Sequence, residues 1–304
     1  MPIAFIVLWS SGYIAAKFGV DAAPALGLLT LRFALAVPVA VLLAVRVPNW
    51  RQAPLARLAL VGVLLQGVQF GAAYSGLALG VHPALGSLVM LGLSPVVTTA
   101  LSAWSGAERV GRRTWALLGV GVLGVAVSLL PTLGEADAGP AIGFVLLGML
   151  GLAGGTVLQK RWVGKADPRV SVATQLVAGL VVLAPIALAS GQLSLHPSAE
   201  LALSAAWLAW PGSIGAMLLL VKLLHRHDAS IVGALLLAVP AVTALMSVAI
   251  LGDALGPVSA LGLALATGAV VKLVRPAPRE RSANRPWRSR VALSRRTSYT
   301  PGPR

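Results

Sequence analysis

Apolar runs of about twenty residues, cut by short polar stretches, recur from the start of the chain almost to its end. They occupy residues 3–20, 24–45, 54–79, 83–105, 114–130, 141–163, 170–190, 200–224, 230–251 and 257–274. A helix rises about 1.5 Å per residue, so a run of about 20 residues crosses the roughly 30 Å hydrocarbon core of a bilayer. The pattern predicts an all-α, polytopic membrane protein with about ten transmembrane helices. Pro24, Pro54, Pro83 and Pro257 stand at or near predicted starts, where a missing N–H costs nothing. The first run has no basic lead, and its repeat partner is the internal helix around Gly155. It is therefore read as a retained span and not as a cleaved leader.

The polar exceptions inside these runs carry more information than the runs. Residues 82–98 place His82, Ser87, Ser94, Pro95 and Thr98 in an otherwise apolar helix that closes at Ser102. The pattern returns 145 positions later (227 − 82 = 145), with His227, Pro240, Thr243 and Ser247 in register with His82, Pro95, Thr98 and Ser102. Carried on, that register pairs Glu108 with Asp253 and Gly111 with Gly256. At an offset of 143, Gly12 pairs with Gly155, Lys17 with Lys160 and Arg32 with Gln175. Matches of His, Pro, Thr, an acid and Gly in one register mark an internal repeat. The repeats are read as residues 1–135 and 136–275, each of about five helices. Residues 276–304 form a basic, Pro- and Ser-rich tail that reads as disordered, either inert or touching anionic lipid heads.

Charge orients the helices. Arg46, Arg51 and Arg57 follow the second run, and Arg109, Arg112 and Arg113 the fourth. Lys160, Arg161, Lys165 and Arg169 follow the sixth, Lys222 and Arg226 the eighth, and ten basic residues lie from Lys272 onward. The alternate connections carry Asp21, Glu135, Asp137, Glu200 and Asp253, with Lys17 the only nearby cation. Basic loops stay inside, so both termini are expected in the cytoplasm, with the chain in the cytoplasmic (inner) membrane. Five helices is an odd number, so the second repeat enters the membrane inverted, an architecture of secondary transporters. The net charge of +15 thus reports topology and predicts no nucleic-acid partner. With 57% hydrophobic and 11% charged residues, against about 25% charged in soluble domains, a bilayer is the expected surrounding.

Several short motifs resemble the EamA-type transporters of the drug/metabolite transporter superfamily. They are Leu8-Trp9-Ser10-Ser11-Gly12 with Lys17, Leu31-Arg32-Phe33, and the proline-bearing fourth helix of each half followed by Glu108 or Asp253. The resemblance covers about residues 3–274. It implies a substrate cavity between the halves, lined by helices 1–4 and 6–9, with helices 5 and 10 peripheral. It also implies export of amino acids or other metabolites; relatives exchange sugar phosphates or nucleotide sugars.

Arg32 is the sharpest single residue, about eight residues or roughly 12 Å into the second helix. A charge at mid-bilayer costs about 2.5–3.5 kcal/mol, so Arg32 is expected to face the protein interior. It would either bind a substrate carboxylate or phosphate, or bond freed backbone carbonyls and lock helices together. Trp9, Tyr13, Gln66, Gln69, Phe70, Tyr74 and the repeat partner Gln175 complete the expected substrate-binding set. Gln66, Gln69 and Phe70 fall on one helical face. Pro95 and Pro240, with Thr98 and Thr243 about one turn on, are candidate gate or hinge elements; the other reading is a static packing kink. Lys17 is expected to snorkel to the surface.

Gly119-Val120-Gly121-Val122-Leu123-Gly124 fits the dinucleotide fingerprint but lies in an apolar span with no preceding strand, so it is read as close helix packing. The chain has no cysteine, its four histidines sit at span ends, and no acid lies mid-span. Neither an intramembrane protease nor a metal site is expected, nor any cofactor. The expected function is not enzymatic: alternating-access transport of a small carboxylate-bearing metabolite, in the outward direction. The rivals are a lipid-linked flippase, a sugar-phosphate or nucleotide-sugar exchanger, and a non-catalytic membrane assembly subunit. A small-molecule substrate and the bilayer are the expected partners, with room for a homodimer.

Overall fold

The structure, a computed structural model, describes residues 1–79, 88–106, 108–133, 142–163, 166–252 and 256–274. His82, Pro83, Glu135, Asp137, Asp253 and the tail 276–304, all singled out by sequence, lie outside the described residues. Among the described residues every regular element is helical. Helices α1 (Pro2–Ala22) and α2 (Ala25–Val45) open the chain. Helix α3 (Leu55–Gly62) runs through a π-helical stretch, Val63–Val68, into α4 (Gln69–Ala78). A second π stretch, Leu88–Leu93, leads into α5 (Ser94–Trp104), and α6 (Arg112–Leu133) follows. Next come α7 (Ile142–Val163) and α8 (Pro168–Ala189). Helix α9 (Ala199–Trp207) passes through a third π stretch, Leu208–Ala216, into α10 (Met217–Arg226). Helix α11 (Ala229–Leu235) passes through a 3-10 turn, Leu236–Ala238, into α12 (Val239–Leu251), and α13 (Pro257–Val274) is the last.

Among the described residues, seven helical segments are long and apolar enough to cross a membrane: Pro2–Val20, Ala25–Val45, Leu55–Gly76, Ile142–Val163, Pro168–Ala189, Ala199–Arg226 and Ala229–Ile250. Pro257–Leu273 is a shorter apolar helix. The outward faces are themselves apolar, with Leu123, Val181, Leu188, Leu203 and Leu245 among the most exposed side chains. A helix apolar all round belongs in a bilayer, where no water penalises that surface.

Helix packing is unchanged in kind when the two repeats are exchanged. Helix α2 packs along α8, and α6 along α13, each against its own counterpart. Helix α1 lies against α9, the Leu208–Ala216 stretch, α10 and α12; its counterpart α7 lies against α3, the Val63–Val68 stretch, α4 and α5. Even the irregularities repeat, since the π stretches starting at Val63 and Leu208 are 145 residues apart (208 − 63 = 145). The α6–α13 contact depends on Gly124, where a Cβ would lie 2.5 Å from the backbone nitrogen of Ala266. Close approach through small residues supplies dispersion contact where lipid offers no hydrophobic driving force, which is the packing role expected of that glycine run.

Serines fasten α1 to the second repeat. Ser10 Oγ donates to the Val239 carbonyl at 3.2 Å, Trp207 Nε1 donates to Ser11 Oγ at 3.0 Å, and Ser204 Oγ donates to the Ala15 carbonyl at 2.6 Å. The Trp9-Ser10-Ser11 motif therefore forms part of the seam between the halves.

Candidate functional site

Helix α2 buries Arg32 to 5% exposure. Its Nε donates to Ser213 Oγ at 2.6 Å, and Ser213 Oγ in turn donates to the Leu208 carbonyl at 3.0 Å. The guanidinium carbon stands 4.6 Å from the Phe70 ring centre and 5.6 Å from that of Phe33, and those rings meet edge-on at 6.4 Å. Tyr74 lies within electrostatic reach of the guanidinium. Ser213 sits in the Leu208–Ala216 π stretch, where Pro211 has no N–H to continue an α-helix. The guanidinium packs beside Gly212, where a Cβ would stand in ordinary contact at 4.0 Å from Nη2.

An arginine offers five N–H donors in a planar fork. Ser213 engages only part of that fork, and among the described residues the one ion pair, Arg169 with Asp167, is elsewhere. The guanidinium is surrounded by neutral groups and a π-face.

The expected substrate-binding residues separate into two localities. Trp9, Tyr13, Phe70 and Tyr74 gather with Arg32. Trp9 is buried against Phe5 at 5.2 Å, and Tyr13, 40% exposed, lies within electrostatic reach of Tyr74. The amides lie apart, around the Val63–Val68 π stretch between α7 and α8. There Gln175 Nε2 donates to Gln159 Oε1 at 2.6 Å, both side chains being fully buried. Gln66 faces Gly179 of α8, and the backbone of Gln69 faces Gly148 and Gly151 of α7. Gln66 belongs to the π stretch, and Gln69 and Phe70 open the α-helix that follows it. Both polar atoms of Gln66, the Oε1 atoms of Gln69 and Gln175, Nε2 of Gln159 and Oγ of Ser171 are buried without a protein partner.

The fourth helix of each half changes its hydrogen-bond spacing just before its proline, from a π stretch at Pro95 and from a 3-10 turn at Pro240. Pro95 and Pro240 each occupy an early position of the α-helix that follows a π stretch or a 3-10 turn. Missing proline N–H groups leave the carbonyls of Leu91 and Leu236 without an α-helical donor. Pro95 and Thr98 are buried against Gly233 of α11, where a Cβ would lie 3.4 Å from Thr98 Cγ2. Thr243 Oγ1 is buried without a partner, and the Val239 carbonyl beside Pro240 receives Ser10.

Sequence reasoning does not single out Ser213 or Gln159, and it leaves the contacts of Glu108 and Lys160 unread. Ser213 is hidden in an apolar run, although Pro211-Gly212-Ser213 interrupts that run. Gln159 sits beside Lys160. Glu108 stands in sequence as a repeat match and motif residue; its carboxylate accepts from the N–H groups of Ala229 (2.6 Å) and Ser230 (3.3 Å), capping α11 across the repeat boundary. Lys160, paired in sequence with the exposed Lys17, caps the C-terminal end of α10 through the carbonyls of Leu224 (2.7 Å) and His227 (2.8 Å).

Residues 2–130 and again 139–275 match the family model described as the EamA-like transporter family. The chain belongs to this family. It is a multi-pass membrane protein of two-repeat EamA architecture, in a family whose members are transporters and not enzymes. A solved structure titled "Crystal structure of protein" shares the EamA-like fold with a TM-score of 0.72 and 23% identity, over 89% of this chain and 93% of that one. No curated protein matches the chain.

Proposed function

We propose that this EamA-like chain moves a small carboxylate-bearing metabolite, an amino acid or close relative, out across the cytoplasmic membrane by alternating access. The observation that carries this reading is Arg32, a guanidinium buried inside a membrane helix and held by Ser213 and Phe70 with no acid paired to it among the described residues. Such a fork matches a carboxylate in two parallel hydrogen bonds. The aromatic side chains of Trp9, Tyr13 and Phe70 supply apolar contact for the rest of the solute.

The full proposal has ten spans in two inverted repeats, 1–135 and 136–275, with both termini in the cytoplasm. The exchange of packing partners between the repeats supports the two-fold relation, and the alternation of basic and acidic connections supports the orientation. Pro95 and Pro240 then act as paired hinges on the two sides of one pathway, with Thr98 and Thr243 beside them. Gln66, Gln69 and Gln175 line the neutral half of the route, where their unmet hydrogen-bonding atoms are available to a solute.

Uptake and efflux in proteoliposomes, with a panel of amino acids and dipeptides, tests this. Saturable transport lost in Arg32→Ala supports it. Unchanged transport in that variant removes Arg32 as the substrate anchor, and lipid translocation without solute transport favours the flippase reading.

A further inference from the structure

At the basic end of the helices a cavity of about 640 Å³ opens, away from Arg32. Its walls come from both repeats: the connection after α2 with Asn49, Trp50 and Gln52, the end of α7 with Lys160, Arg161 and Trp162, and the end of α10 with His225. Asn49 adopts a left-handed backbone (φ 57°), a conformation asparagine tolerates, and so turns that connection at the cavity's edge.

Four features of the lining specify a ligand. First, the charge is net positive: Lys160 and Arg161 line the wall, while the one acid there, Asp167, is already paired with Arg169 at 3.1 Å. Secondly, Lys160 is fixed by its two backbone acceptors, which leaves its third N–H and its charge uncommitted. Thirdly, His225 Nε2 is buried with no protein partner. Fourthly, Trp50, Trp162, Val47, Val163 and Leu224 give the cavity an apolar body beside its cations. Tryptophan beside Arg and Lys at a helix end is the composition of the headgroup level of a membrane.

We propose that this cavity binds a phosphate-bearing amphiphile, with the phosphate on Arg161 and Lys160, His225 Nε2 as a further polar contact, and the apolar portion on Trp50 and Trp162. The source that fits the depth and composition is an acidic phospholipid, whose headgroup would bridge the connection after α2 to α7 and α10 and so tie the two repeats together at one end. The site is independent of the Arg32 reading.

The test uses full-length protein, delipidated in a neutral detergent, with the thermal midpoint followed during titration by phosphatidylglycerol, phosphatidylcholine, glycerol phosphate or inorganic phosphate. The expected result is a saturable rise with phosphatidylglycerol, absent with phosphatidylcholine, equal in wild type and Arg32→Ala. Half-saturation should weaken about fivefold in Arg161→Gln, from the loss of one basic group near an acidic headgroup. Because Arg161 and Trp162 are exposed, Arg161→Gln and Trp162→Leu should fold, and their midpoints without added lipid check this. An equal rise with glycerol phosphate supports the phosphate site and assigns it to a soluble ester. Equal responses to the two lipids, or no difference between wild type and the two cavity variants, overturn the proposal.

Discussion

Arg32 and Ser213 stand 181 residues apart in sequence and 2.6 Å apart in space, joined by an Nε–H to Oγ hydrogen bond across the boundary of the two repeats. The only charge buried in α2 is therefore positioned by the other half of the molecule. Any relative movement of α2 against the Leu208–Ala216 stretch changes what Arg32 can hold. Ser213→Ala removes one partner of a buried guanidinium, and hydrogen bonds to charged groups are worth about 1.5–3 kcal/mol. Stability measured by chemical denaturation should fall by that order, and the concentration for half-maximal transport should rise more than the maximal rate falls. Unaltered stability and transport would mean that Ser213 is a bystander.

Phe70 should matter through its ring face. A desolvated cation–π contact is worth up to about 2 kcal/mol, so Phe70→Leu should weaken substrate binding while Phe70→Trp retains it. Binding measured by tryptophan-independent calorimetry separates the two; equal loss in both variants would assign Phe70 to shape alone.

The cap that Glu108 places on α11 predicts a graded pair of variants. Glu108→Ala leaves the N–H groups of Ala229 and Ser230 without their carboxylate and should cost about 0.5–2 kcal/mol. Glu108→Gln keeps an acceptor and should cost less, the remainder being the loss of negative charge at a helix N-terminus. Thermal or denaturant unfolding of both variants checks the order.

Asp167 caps α8 through the backbone N–H of Arg169, and its hydrogen bonds to the Arg169 side chain hold its carboxyl below the ordinary carboxylate value. A lowered folded-state value means that this contribution is present above the unfolded pKa of about 3.9 and fades as pH falls through the folded one. Wild type should therefore lose stability relative to Asp167→Asn only in acid, below about pH 4. A difference between them that stays constant from neutral pH down to acid would contradict the pairing.

Pro95 and Pro240 test the hinge reading. Pro240→Ala restores an N–H to the Leu236 carbonyl and should slow turnover while leaving substrate affinity close to wild type. Proteoliposome rates at saturating and subsaturating solute distinguish this from a packing kink, for which both would be unchanged.

Much of this arrangement is legible in sequence because a bilayer imposes long apolar runs, and the two-repeat order shows in the matched polar positions. Arg32 stands out for the same reason, as a charge where charge is costly, and Phe70 and Tyr74 follow one and two turns along a neighbouring helix. Ser213 does not, because one serine in an apolar run is common and its role depends on how α2 crosses a π stretch. The π stretches have no compositional mark of their own, so the altered hydrogen-bond spacing around Gln66 is not legible. Gln175 was found as the repeat match of Arg32, but its bond to Gln159 depends on the α7–α8 contact, which no sequence spacing fixes.

The central claim is that Arg32 reads a carboxylate. For a solute that proteoliposomes transport, the affinities of the carboxylate and of its carboxamide can be measured on wild type and on Arg32→Ala. The prediction is strong preference for the carboxylate in wild type and near-equal binding of the two in Arg32→Ala, with the carboxamide affinity little changed. A preference of the same size in both proteins would contradict it.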